Sequence, residues 1–118
     1  EMTSSLVGSE MCIRDRKKFS TLTEPMFYLL MSLRGGKKCG IDISEYISRR
    51  SSERVKLGPG TLYALLSEFE QEGLIKYVGV DGKRKLYELT PTGEKAYNDE
   101  LMRLRQCLAD AKEAENDE

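Results

Sequence analysis

The sequence predicts a mainly α-helical domain carrying one small β-hairpin, an α+β fold closed by a long C-terminal helix. Three observations predict it. Between Thr23 and Gly73, apolar residues recur at helical spacing in three short runs, each bounded by residues that start or stop helices. From Leu74 to Leu89 the period falls to about two on either side of Asp81-Gly82, a hairpin pattern. After Thr90 the helical period returns and persists to Ala111.

The first helix is expected to start at Thr23-Glu-Pro25, a Thr cap followed by an acid and a proline in the first turn. Phe27, Leu30, Met31 and Leu33 supply its apolar spacing, and Gly35-Gly36 stops it. A second helix is expected from about Gly40 or Ile41 to Arg50, with Ile43, Tyr46 and Ile47 on its inner face. The third is the most sharply bounded. Gly58 serves as N-cap, Pro59 suits the first helical position, and Gly73 sits where a left-handed residue ends a helix. Leu62, Leu65, Leu66 and Phe69 form its buried stripe. The opposite face carries Gly60, Ala64, Ser67 and Gln71, flanked by Thr61 and Tyr63. Surface helices usually show charge there; this face is small and smooth, as it must be if something large lies against it.

In the hairpin, Ile75, Tyr77, Tyr87 and Leu89 are expected on the inward side, and Lys83, Arg84 and Lys85 follow at the tip. A two-stranded hairpin is marginal alone and must pack on the helices. Three helices and a hairpin with a basic tip follow the order of a winged helix-turn-helix. The last helix begins at Thr90-Pro-Thr-Gly93, and Tyr97, Leu101, Leu104, Leu108 and Ala111 form a heptad-like seam. That seam is longer than the small core needs, so a second copy of the chain is its expected partner, folding back onto its own domain being the alternative. The chain divides into an N-terminal extension (1–18), expected to be flexible, a winged domain (19–90), and a dimerisation helix with a polar tail (91–118). Residues 1–16 lack either periodicity and resemble a spurious adaptor-derived peptide.

Composition narrows the function. The chain has no histidine and no CxxC spacing, which argues against Ser–His or Cys–His nucleophiles and most transition-metal sites. No enzyme, metal or cofactor is expected; Asp42 and Glu45 read as helix-start charges. Three widely spaced cysteines (Cys12, Cys39, Cys107) make no disulfide framework and fit a reducing cytosol. Cys39 reads as structural rather than as a redox sensor. No secretory signal or membrane-length apolar run stands out, so a cytoplasmic location without a membrane partner is expected. Net charge is −1, but unevenly placed. Arg14 to Tyr63 holds eleven Lys/Arg against five Asp/Glu, a balance of +6; Glu94 to Glu118 holds four against eight, a balance of −4. A basic working face and an acidic tail follow.

Leu22-Thr-Glu-Pro-Met-Phe-Tyr-Leu-Leu30, Leu57-Gly-Pro-Gly-Thr-Leu-Tyr63, Glu72-Gly-Leu-Ile75 and Leu86-Tyr-Glu-Leu-Thr-Pro-Thr-Gly93 together resemble the PadR family of bacterial transcriptional regulators. The resemblance spans roughly residues 19–111. It implies a homodimeric winged-helix repressor of double-stranded, usually palindromic operator DNA, dimerised by the C-terminal helices. A single long last helix resembles the shorter branch, some of whose members bind aromatic or cationic small-molecule effectors between subunits. One departure stands out: many relatives open the second helix with Gly-Tyr-Glu or Gly-Tyr-Asp, whereas this chain has Gly40-Ile41-Asp42 and lacks the hydroxyl.

On this reading Gly60, Ala64 and Ser67 allow close approach to DNA, and Thr61 and Tyr63 offer hydroxyls to phosphates. Lys56, Lys83, Arg84 and Lys85 supply salt-sensitive attraction. Ser67 and Gln71 are the candidates for base edges. Tyr97, Leu101, Leu104, Leu108 and Ala111 make the dimer contact. The alternative is a winged-helix protein-interaction module without DNA binding, which would use the same fold without needing its basic wing.

Overall fold

The structure is a computed structural model that describes residues 22–117, so the extension at 1–18 lies outside the described residues. Four helices and a three-stranded antiparallel sheet follow in the order α1 (Glu24–Arg34), β1 (Lys38–Cys39), α2 (Gly40–Arg50), α3 (Pro59–Gln71), β2 (Ile75–Asp81), β3 (Arg84–Leu89) and α4 (Pro91–Asn116). The strands lie in the order β1–β3–β2, so the hairpin gains an edge strand that the sequence did not suggest. Two residues are too few to show an alternation. Lys38 pairs with Tyr87 and Cys39 with Leu86, which ties the start of α2 to the hairpin.

Capping sets the helix boundaries. The Thr23 side chain accepts from the Met26 N–H at 3.4 Å and starts α1. Thr90 does the same for α4, accepting from the Gly93 N–H at 3.0 Å, while its own hydroxyl donates to the Gly73 carbonyl at 2.5 Å. α3 ends in a complete Schellman motif. Gly73, at φ +79°, donates its N–H to the Glu70 carbonyl, and Leu74 donates to that of Phe69. Leu74 is itself buried, so the corner that ends α3 is pinned by an apolar contact as well.

The core lies between α1, α2, α3 and the sheet. Phe69, Leu29, Leu30, Ile43, Ile47, Leu66 and Ile75 are all fully buried. Each side chain of that size contributes about 1.5–3 kcal/mol on burial. The ion pairs Arg34–Glu94 and Arg54–Glu24 are about half exposed, and such pairs contribute about 0–1 kcal/mol each. Apolar packing therefore decides the fold. In α1 the buried stripe runs Met26, Leu29, Leu30 and Leu33, whereas Phe27 and Met31, expected inside, are half-buried at its edge. Tyr46 of α2 is likewise half-buried, its ring flanked by Lys38, Arg49 and Arg50 at 5.5–5.8 Å.

The hairpin shows a second correction. Ile75 and Tyr87 are buried and Leu89 is half-buried, but Tyr77 is 47% exposed. Tyr77 lies directly opposite Tyr87 and meets its ring edge-on at 6.4 Å, so the face was read correctly. The helices underneath do not reach that far along the strand. Beyond Tyr77 a bulge at Val78–Gly79 shifts the register, with Gly79 at φ +137°. Asp81 pairs with Arg84, which leaves Gly82-Lys83 as the turn, one residue later than the Asp81-Gly82 signal. Gly82, at φ +67°, takes the first loop position, where a type II′ turn needs a positive φ.

Among the described residues no helix is long and apolar enough to cross a membrane.

Candidate nucleic-acid interface

The N-terminus of α2, the hairpin tip and Tyr63 of α3 converge on one side of the molecule. The N-cap residues of α2 and α3, Cys39 and Gly58, make no side-chain cap hydrogen bond, whereas α1 and α4 are both capped by threonine. Both helices thus start without an N-cap side-chain acceptor, and the start of α2 lies beside the wing cations. The N–H groups of such a start attract anions. The first turn of α3 also holds no acid; its carboxylates, Glu68 and Glu70, come late in the helix, and Glu72 caps its end.

The outward face of α3 is as smooth as its residue types suggest. Gly60, Thr61, Ala64, Ser67 and Gln71 are all exposed. Opposite them, Leu62, Leu66 and Phe69 bind α3 to the core, with Leu65 half-buried. The helix is therefore held rigidly while its other side stays open.

Tyr63 joins α3 to its neighbours. The residue is 51% exposed, yet its hydroxyl rests against the backbone of Gly40. A Cβ at position 40 would lie 2.7 Å from that hydroxyl and 3.0 Å from Cζ. Only glycine lets the phenol approach so closely. Around this contact lies an open cavity of about 310 Å³ lined by Cys39, Gly40, Ile41, Tyr63, Lys83, Arg84, Lys85 and Tyr87. Three cations, a phenol and the start of α2 face one space. Its chemistry suits a phosphate or another compact anion.

The site residues named from the sequence thus fall into three groups. Tyr63, Lys83, Arg84 and Lys85 come together at the cavity. Gly60, Thr61, Ala64 and Ser67 form the adjoining exposed face of α3. Lys56 stands apart on the segment before α3, exposed and 3.7 Å from Glu53. The start of α2 was missed: Gly40 and Ile41 line the cavity, and Ile41 is 48% exposed at the position where a hydroxyl was noted as absent. The usable signal was Gly40 itself, a glycine opening a helix. Cys39 is buried and lines the same cavity.

Tyr87 has a pKa raised above 10.0, first by burial and then by the charge of Glu70, with Tyr63 and Tyr77 adding. Its neutral hydroxyl is the form the fold favours. As pH rises above 10 the unfolded chain loses a proton that the folded chain retains, so this contribution is lost as pH climbs through the folded value. Tyr87→Phe is expected to show a shallower loss of stability across that alkaline range than the parent chain. Urea denaturation at a series of pH values checks it; parallel curves would contradict it.

At the other end, α4 divides in two. Tyr97 is 6% exposed, its ring stacked on Phe27 at 4.8 Å with the Arg34 guanidinium 4.9 Å above it. It is occupied within its own chain and offers almost nothing to another. Leu101 is half-buried, and Leu104, Leu108 and Ala111 are exposed. Among the described residues no group of three or more acidic, Cys or His side chains could hold a metal ion.

Comparison with known proteins adds the following. Residues 29–99 match the model of the transcriptional regulator PadR-like family. An uncharacterized protein of Lysinibacillus sphaericus is 37% identical over 68 residues, covering 54% of this chain and 62% of that one, so the match spans less than two thirds of that relative. A transcriptional regulator from Clostridium thermocellum superposes with a TM-score of 0.66 at 25% identity, covering 87% of this chain and 96% of that one. Bacillus subtilis PadR in complex with operator DNA superposes with a TM-score of 0.61 at 25% identity, covering 69% of this chain and 48% of that one. A PadR family transcription regulator from Clostridium difficile shares the fold, with a TM-score of 0.67 at 21% identity, covering 77% of this chain and 97% of that one.

Proposed function

The chain belongs to the PadR-like family of transcriptional regulators, and from that premise we propose that it is a homodimeric repressor that binds an operator through α3 and the hairpin. In this reading α3 enters the major groove, with Ser67 and Gln71 nearest the base edges. Gly60 and Ala64 let the helix come close, and Thr61 and Tyr63 donate hydroxyls to phosphates. Lys83, Arg84 and Lys85 reach the backbone from the wing, and Lys56 from the segment before α3. The observation that carries the reading is the convergence of three wing cations, Tyr63 and the uncapped start of α2 on one cavity beside the exposed face of α3. The bound operator in the Bacillus subtilis PadR structure supports the same partner class.

Fluorescence anisotropy with a duplex from the chain's own promoter region tests it. Binding should weaken steeply with salt, because neutralised phosphates release counterions. Salt-insensitive binding would remove the DNA reading. Intact binding of a protein partner after the wing is neutralised would favour an interaction module instead.

Gly40 gives a finer test. Gly40→Ala places a methyl group against the Tyr63 phenol. What it meets is the end of a mobile side chain rather than backbone, so the ring swings aside and the fold survives. Operator affinity is expected to fall about tenfold, the loss of roughly one good contact at about 1.4 kcal/mol, while the melting temperature changes little. Unchanged affinity would remove Tyr63 from the interface.

An aromatic or cationic effector would act between the two copies. The Tyr97 ring is already stacked on Phe27 of its own chain, so such a ligand would sit against Met102 and Leu104, both exposed. Calorimetry with aromatic and cationic compounds that leaves operator affinity unchanged would remove effector release without touching DNA binding.

A further inference from the structure

Tyr87 carries a hydroxyl that the fold buries and leaves without a partner. The residue is 7% exposed, and among the described residues nothing hydrogen-bonds to its hydroxyl. A buried polar group left unpaired costs stability, so native folds rarely keep one without a use. Tyr87 also lines the open cavity of about 310 Å³ between the start of α2 and the wing. On β3 it stands two residues from Lys85, another lining residue, so the two share a face. We propose that this cavity is a phosphate-binding pocket in which the Tyr87 hydroxyl is the buried donor. The inference rests on the operator reading above for one of its two phosphate sources, and it adds a residue that reading does not use.

Charge and shape choose the ligand. No ion pair among the described residues involves Lys83, Arg84 or Lys85, so three positive charges border one space unneutralised. Tyr63 brings a second hydroxyl without a hydrogen-bond partner, and the start of α2 has no side-chain cap. Lysine and arginine donate and never accept, and a tyrosine hydroxyl can donate. The lining thus offers donors and positive charge, with no carboxylate among its residues. These donors come from α2, α3, β3 and the wing turn, so they approach from several sides. A tetrahedral phosphate presents oxygens in all those directions, whereas a planar carboxylate presents two. A water occupies about 30 Å³, so the cavity takes a phosphate together with part of its hydration shell. The nearby acid is Glu70, exposed on α3 and outside the lining. Burial first, and then the charge of Glu70, keep the Tyr87 hydroxyl in its neutral, donating form.

The phosphate has two sources, an operator backbone or the free ion, and one variant separates them. Tyr87→Phe in the full chain removes the donor and keeps the ring. Loss of a buried hydroxyl that has no partner should leave the melting temperature unchanged or raise it. In one arm inorganic phosphate alone is titrated into parent and variant at fixed ionic strength, followed by the amide resonances of Gly40 and Ile41. In the other arm operator affinity is measured across a range of salt. The parent is expected to bind phosphate saturably, and the variant about tenfold more weakly, the worth of one hydrogen bond to a charged group. If the pocket takes the operator backbone, Tyr87→Phe also lowers operator affinity about tenfold with the salt slope unchanged, because a neutral donor releases no counterion. Weakened phosphate binding with unchanged operator affinity assigns the pocket to the free ion. A parent chain that binds phosphate but no operator would remove the operator reading and keep the pocket. A variant that matches the parent in both arms would mean that the hydroxyl serves only a water or Glu70, and the inference falls. A variant that melts several degrees lower would mark the hydroxyl as structural and overturn it as well.

Discussion

Replacing Lys83, Arg84 and Lys85 together by glutamate is expected to lower operator affinity at least 100-fold and to flatten its dependence on salt. The slope of log affinity against log salt changes by about 0.9 for each phosphate contact to duplex DNA. Loss of three contacts flattens it by about 3, and the new carboxylates add repulsion. All three residues are exposed, and Lys85 pairs across the hairpin with Val80 through backbone alone. The fold and its melting temperature should therefore stay as they were. The single changes Lys83→Ala, Arg84→Ala and Lys85→Ala should each flatten the slope by about one, and they separate contact from general charge. Three singles without effect on the slope, with the triple variant still binding, would take the wing out of the interface.

The fold was largely legible because its signals are local. Thr23, Thr90, Pro59 and Gly73 bound helices where such residues do so for reasons of hydrogen bonding and φ, and the structure places the boundaries there. What escaped depended on tertiary context. β1 has two residues and exists only because Tyr87 and Leu86 accept it as an edge. The turn after α2 carries Ser52 at φ 55° and Glu53 at φ 66°, left-handed positions with no glycine to announce them. It is held instead by the Ser51 hydroxyl, which accepts from the Val55 N–H at 3.0 Å. Tyr77 has the right alternation for burial, but nothing in a strand's own sequence says where the helices beneath it stop.

The site was legible to a different degree. The smooth face of α3 and the basic tip of the wing are properties of single segments, so both could be named from residue types. Their meeting place could not be. The cavity exists because Gly40, from a third segment, lets Tyr63 fold over the start of α2. The division of labour among the helices also emerges only in three dimensions. α1 and α4, whose side chains cap their own first turns, build the frame. α2 and α3 lack such caps, and the start of α2 and Tyr63 of α3 meet the wing cations at the cavity.

Gly93→Ala is expected to be the most damaging single methyl group that could be added among the described residues. The φ of Gly93 is not in the left-handed region, so conformation alone would admit alanine. Space would not. A Cβ there would lie 2.0 Å from the Leu74 carbonyl oxygen and 2.8 Å from Leu89 Cδ1. The first neighbour is backbone, and it is backbone with other duties. The Leu74 carbonyl accepts the Thr90 N–H at 3.1 Å, and the Leu74 N–H closes the end of α3. Relief would need a shift of more than an ångström at the corner where α3, β2 and α4 meet. Thr90, bonded to both Gly73 and Gly93, could not follow without losing one partner. Overpacking usually costs about 1–3 kcal/mol where side chains can adjust. Here the rigid partner puts the expected loss at about 3 kcal/mol or more, a large share of the roughly 5–15 kcal/mol that holds a small domain together. The melting temperature should fall by about 10 °C or more, whereas Thr92→Ala, one residue earlier and exposed, should leave it within a degree or two. If Gly93→Ala melted with the parent chain, the close passage of α4 over Leu74 would be wrong, and so would the angle at which the last helix leaves the winged domain.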